Sequence, residues 1–201
     1  MTMARLHPEP APPMRPYHMA FSVLPFALLT AFAVLYALTQ PNPDSFRTDA
    51  FAWGAGIQAT PALFLMARRL GRRAVGQWWR LFWSFALVLL VAHNIAAMGW
   101  QQLWRPDLVA AEFGLFGAIV LWGLPVVWLV DVLMAWNRFD WARAENGYAW
   151  WQGLVAAFVF AAIGFVLLGS GGTAGPAIGA LMALAVAVAV LLRWYDGEEG
   201  R

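Results

Sequence analysis

Arg80 to Trp104 reads RLFWSFALVLLVAHNIAAMGWQQLW, an apolar run of hydrocarbon length with the pair His93-Asn94 set inside it. About 20 residues of α-helix are needed to cross roughly 30 Å of hydrocarbon. With no water to bond the backbone, such a stretch must satisfy its own polar groups, so it is a transmembrane helix. A side chain that can ionise at that depth needs a partner, and the remaining segments are read by what they supply to it.

Of 201 residues, 62% are hydrophobic and 12% charged, where a soluble domain carries about 25% charged. The length accommodates six spans joined by short loops, with no separate soluble domain. The predicted architecture is an all-α integral membrane bundle with both termini cytoplasmic. Its spans fall at about 20–39, 50–66, 77–101, 113–136, 151–168 and 176–194. They form a membrane domain at 18–195, between a proline-rich tail at 1–17 and an acidic tail at 196–201. Cysteine is absent, which excludes disulfides, thiolate metal sites and cysteine nucleophiles. The net charge of +2 comes with arginine as the only basic side chain besides histidine. Because the arginines cluster at segment ends, topology accounts for them and no nucleic-acid partner is expected.

The first 17 residues hold five prolines, too many for a regular helix. Ala20 to Thr39, interrupted by Pro25, is too long for a removable signal peptide and lacks a small-residue cleavage site, so it reads as a retained anchor. Gln40-Pro41-Asn42-Pro43-Asp44 is a turn. The second span is the most polar, with Gly54, Gly56, Gln58, Thr60 and Pro61. Pro61 frees the carbonyl of Ile57, which suits either a bent packing helix or a broken helix lining a site. In the third span Trp78, Trp79 and Trp83 frame one end, Trp100 and Trp104 the other, as indoles do at headgroup level. Pro125 in the fourth span frees the carbonyl of Leu121. Gly169-Ser170-Gly171-Gly172 makes a hairpin between the fifth and sixth spans, and Pro176 falls in the first turn of the sixth.

With the N-terminus in the cytoplasm, eleven arginines fall on that face, while Arg47 and Arg105 fall on the other. That split is a positive-inside signature, with the arginine-rich face cytoplasmic. Gly153, Ala157 and Ala161 on the fifth span, and Gly175, Gly179, Ala183 and Ala187 on the sixth, recur every four residues. Small residues on one face let backbones approach, so these helices are expected to pack through both stripes.

Three buried polar groups could carry chemistry. His93 lies about 12 Å below the outer interface, and Asn94 points about 100° away from it. His93 could ligate haem iron, hydrogen-bond a quinone or relay protons; equally, it could be a neutral packing histidine bonded to a carbonyl freed by Pro61 or Pro125. Bis-histidine haem requires a second buried histidine, and His7 and His18 lie at the wrong end. Asp131, on a helix running the opposite way, lies about 15 Å deeper than His93. Arg80 reaches nearly the same depth, so an Arg80–Asp131 ion pair is the expected partner, with a proton or cation pathway as the alternative. No HExxH, paired-aspartate, Walker or di-iron pattern is present, so no metal and no catalytic residue set is indicated.

Trp83, Phe85, Ala86, Leu90 and His93, followed by Trp128, Asp131, Leu133 and Trp136, resemble a group of bacterial multi-pass membrane proteins of uncharacterised activity. That group pairs an aromatic-rich Leu-x-x-His helix with a later Trp-x-x-Asp helix. It also carries a further histidine and an Asn-Tyr where this chain has Trp104-Arg105-Pro106 and Leu121-Trp122-Gly123. The resemblance implies the architecture and the choice of His93 and Asp131, and no substrate. The expected role is a non-catalytic accessory or structural subunit among other membrane subunits, or a binder of a lipid-like molecule. The alternatives are a redox anchor holding haem or quinone through His93, and a small transporter using Asp131.

Overall fold

The computed structural model describes residues 14–69, 76–101, 105–137, 148–169 and 172–198, and among them all regular secondary structure is helical. Six helices follow one another: α1 (Pro16–Leu35), α2 (Pro43–Arg69), α3 (Gln77–Ala96), α4 (Pro106–Asn137), α5 (Tyr148–Gly169) and α6 (Ala174–Glu198). Five are long and apolar enough to cross a membrane; the apolar part of α4, Leu121–Asn137, is shorter. The proline-rich segment before residue 14, Arg72 and Arg73, Trp104, Arg138 and Arg143, Ser170 and Arg201 lie outside the described residues.

Local chemistry sets the helix ends. The expected turn at Gln40–Asp44 is shorter, because α2 begins at Pro43. Proline suits a first helical position, where its missing N–H has no partner to lose, and Asn42 Oδ1 caps the helix by accepting the Ser45 N–H at 3.3 Å. A 3₁₀ turn, Tyr36–Thr39, ends α1, and a π-helical turn, Ala97–Gln101, ends α3. Within α4, Gly114 adopts φ +71°, a left-handed conformation open to glycine, and interrupts the helix there. At the C-terminus α6 runs further than the predicted span, and Asp196 pairs with Arg68 of α2 at 3.3 Å.

Contacts at the helix ends fix an up-and-down order. His18 of α1 packs edge-on to Trp78 of α3, with ring centroids 5.3 Å apart. Arg193 of α6 donates to the Ala67 carbonyl of α2 at 3.3 Å. At the opposite face Phe32 of α1 meets Phe46 of α2, centroids 5.7 Å apart. The starts of α1, α3 and α5 therefore share one face with the ends of α2, α4 and α6.

Helix α2 is the centre. It packs against α1, α3, α5 and α6, while α4 lies outside, against α3 and α5. The apolar window of α2 is 61% buried, that of α1 17%. Lipid tails are as apolar as leucine, so helices gain little from hydrophobic burial in a bilayer and rely on close packing and hydrogen bonds. Ala50, Ala52, Gly54, Ala55, Gly56, Ala59 and Ala62 are all buried and keep the circumference of α2 thin enough for four neighbours.

The α5–α6 hairpin forms, with Gly179 of the expected sixth-span stripe at the contact and the alanines of both stripes outside it. Gly175 is buried and Gly153 half-buried, whereas Ala157, Ala161, Ala183 and Ala187 are exposed. The contact is made where Gly179 meets Leu167 and Gly164 meets Met182. Helix α5 turns Gln152, Val155, Val159, Ile163 and Leu167 inward, and α6 packs more extensively on α2 than on α5. That rotation carries the alanine stripes outward.

Candidate functional site

Three helices bring a polar cluster together near the face where α3 and α5 begin. Helical spacing aligns Trp79 with Trp83 on α3, Trp128 with Asp131 on α4, and Tyr148 with Gln152 on α5. Asp131, Trp83, Trp128 and Gln152 are each 0% exposed. Trp83 Nε1 donates to Asp131 Oδ2 at 2.9 Å, and the Tyr148 hydroxyl donates to Oδ1 at 3.0 Å. Gln152 Nε2 stands 3.5 Å from that hydroxyl. The Trp83 and Trp128 rings meet at 4.5 Å between centroids, and Trp79 stacks on Trp83 at 6.2 Å. Trp79 and Trp83 are thus packed inside the bundle, away from its outer surface.

The expected Arg80–Asp131 ion pair is not formed. The Arg80 guanidinium lies 5.2 Å over the Trp136 ring, a favourable position for a cation on an indole face. Trp136 Nε1 donates to Ser84 Oγ at 2.9 Å, and Ser84 Oγ donates to the Arg80 carbonyl at 2.7 Å. In this antiparallel register Arg80 faces the turn of Trp136, and Trp83, a turn deeper, faces Asp131. The pair fails because Arg80 lies about one turn shallower than Asp131.

His93 and Asn94 part company as adjacent helical residues must. His93 Nδ1 is 2.9 Å from the Thr48 carbonyl of α2, and Asn94 Nδ2 donates to the Leu121 carbonyl of α4 at 3.1 Å. A carbonyl only accepts, so Nδ1 carries the proton and Nε2 presents its lone pair. The carbonyl released by Pro125 is thus taken by Asn94, and His93 bonds a carbonyl that no proline released. Gln58 makes a third link of this kind, donating from α2 to the Ser22 carbonyl of α1 at 3.1 Å.

Neither His93 nor Asp131 gathers metal ligands: among the described residues no group of three His, Cys, Asp or Glu side chains could hold an ion. His18 accepts the Arg15 backbone N–H at 3.2 Å on Nδ1, beside Trp78 at the opposite face from His93. Outside the apolar segments, Arg105 holds the Asp107 carboxyl below the usual carboxylate range by hydrogen bonding. The sequence reading named Trp83 and Trp128 without assigning them to Asp131, and it missed Tyr148 and Gln152. The polar pair Tyr148/Gln152, four residues apart at the head of an otherwise apolar helix, was the signal that could have found the latter two. No family model, curated protein or solved structure matches the chain.

Proposed function

We propose that this chain is a multi-pass protein of the bacterial inner membrane, oriented with its arginine-rich face in the cytoplasm, that serves as a non-catalytic accessory subunit of a larger membrane assembly. The supporting observation is where the interior polar side chains go. His93, Asn94 and Gln58 each bond a backbone carbonyl of a neighbouring helix, and Asp131 takes donors from α3 and α5. These bonds fasten helices, leaving the outer surface, including Ala157, Ala161 and exposed Trp150, for association with lipid and other subunits. The resemblance to bacterial multi-pass proteins with Leu-x-x-His and Trp-x-x-Asp helices agrees with it. Extraction from native membranes in mild detergent tests the proposal. A stoichiometric complex that excludes haem, with no Soret absorption, is expected; a chain migrating alone and intact would refute it.

A second reading rests on one bond. With Nδ1 donating to the Thr48 carbonyl, the His93 imidazole is held in the tautomer that suits ligation or hydrogen bonding through Nε2. A redox anchor holding haem or quinone would use that nitrogen. A Soret band in the purified protein, lost in His93→Ala while the fold persists, would favour this role over the accessory one.

A further inference from the structure

Asp131 is fully buried and has no cationic partner among the described residues. Its donors are the side chains of Trp83, Tyr148 and Trp151, none of which carries a positive charge. Beside it, fully buried Gln152 keeps Oε1 without a hydrogen-bond partner. Exchanging the amide atoms would only move the vacancy to the nitrogen. An isolated carboxylate cannot stay charged and uncompensated in an apolar interior, and a buried amide oxygen left unbonded is also costly. Carboxylate and amide lack the same thing, a positively charged or proton-bearing species between α4 and α5.

We infer that Asp131 and Gln152 form an intramembrane site for a small monovalent cation: an alkali or ammonium ion, or a proton carried on the Asp131 carboxyl. Asp131 is six residues from the end of α4 and Tyr148 is the first residue of α5, so about 9 Å of helix separates the carboxyl from the face where α4 ends. Of the titratable groups on the packed elements, α5 offers Tyr148, which bonds the carboxyl. Helix α3 offers Arg80, placed over Trp136, and His93, placed on the Thr48 carbonyl. Helix α4 itself adds Asp107 at its far end, exposed and paired with Arg105. Proton binding converts the carboxylate to a neutral carboxylic acid and so removes the buried charge.

The inference is independent of the accessory role and is tested on the full chain in detergent. Melting is compared in sodium, potassium, ammonium and choline chloride at constant ionic strength. The carboxyl C=O stretch is followed by infrared difference spectroscopy across pH. If the ion is metallic or ammonium, melting rises by about 5–10 °C at a hundredfold excess over Kd relative to choline, and Gln152→Leu abolishes the rise. If the ion is the proton, all salts melt alike and a protonated-carboxyl band titrates in the wild type and is missing in Asp131→Asn. Both results support the site. A carboxyl that keeps one protonation state across the pH range, with no cation dependence of melting in the wild type, overturns it whether or not the variants fold.

Discussion

Helix α2 accommodates neighbours on opposite sides at two glycines two positions apart, and a series of alanine substitutions reads that packing. A Cβ added at Gly56 would stand 2.9 Å from Leu167 Cδ1, 3.3 Å from Ile178 Cγ2 and 3.6 Å from Ile163 Cγ2, where α5 and α6 converge. At Gly54 it would meet Leu89 Cδ1 at 3.3 Å and Leu29 Cβ at 3.5 Å, between α3 and α1; at Gly123 on α4 it would meet nothing within 4 Å. Carbon atoms pack best at about 3.5–4.0 Å. Leu167 is fully buried, so moving it moves its neighbours. Alanine for glycine inside a helix gains up to about 1 kcal/mol of propensity, and forcing an extra methyl into a packed interior costs about 1–3 kcal/mol. Gly123→Ala should therefore stabilise, Gly54→Ala should come out near zero, and Gly56→Ala should lose about 1–2 kcal/mol. For a chain of this size that loss lowers Tm by about 2–8 °C. Tryptophan-fluorescence melting in mild detergent resolves the three. Leu167→Ala should cost less on the Gly56→Ala background than alone, because the new methyl occupies part of the vacated space. A Gly56→Ala variant melting as high as Gly123→Ala, or additive with Leu167→Ala, would refute the convergence of α5 and α6 on this glycine.

Because Asp131 bonds Trp83 and Tyr148 rather than Arg80, the melting losses of Arg80→Leu and Asp131→Leu should add within about 0.5 kcal/mol. Tyr148→Phe should cost about 1.5–3 kcal/mol with an ionised carboxylate, and much of that loss should vanish on an Asp131→Leu background. Asn94→Leu strands the Leu121 carbonyl, a loss of about 1–3 kcal/mol that should shrink when Pro125→Ala restores a backbone donor; an undiminished loss would show that Asn94 acts through something else. A reporter active only outside the cytoplasm should be active beside Arg105 and silent after Arg201, and activity at both would mean an odd number of crossings.

The helical class and the six segments follow from hydropathy, because crossing hydrocarbon imposes length and composition on each segment independently. Partners do not follow, because they depend on register. Arg80 and Asp131 were expected at nearly the same depth, and the observed register sets them about one turn apart. The rotation of α3 against α4 directs Trp83 at Asp131 and Arg80 at Trp136. The carbonyl freed by Pro125 could be located from the chain alone, since proline acts on its own helix. Which of His93 and Asn94 would take it depended on α3 lying between α2 and α4. The alanine stripes show the same limit: spacing identifies a face, and the competing contact with α2 decides where it points.

The polarity of α2 has a physical reason that runs against its first appearance as the weakest span. Hydropathy in a bilayer measures the cost of facing lipid, and a helix covered by four others faces little of it. Gly54, Gly56, Gln58 and Ala59 would be a poor surface for hydrocarbon, yet the first three make or allow the contacts that hold α1, α3, α5 and α6. Conversely, α1 is strongly apolar and mostly exposed, with Phe21, Leu24, Leu28 and Leu35 on its outer side. In this bundle the least apolar span is therefore the axis. Polar groups that would be expensive against lipid become interhelical bonds there, and small residues that would bury little area elsewhere allow close approach. The same argument applies to α3, whose inner face carries His93 and Asn94 while Val88, Val91 and Ile95 face outward. A polar residue in either helix is tolerated because a neighbouring backbone is near enough to bond it, as Thr48 is for His93 and Leu121 for Asn94. Asp131 and Gln152 complete only part of that exchange, and the charge of the carboxyl makes the remainder a question of what else it binds.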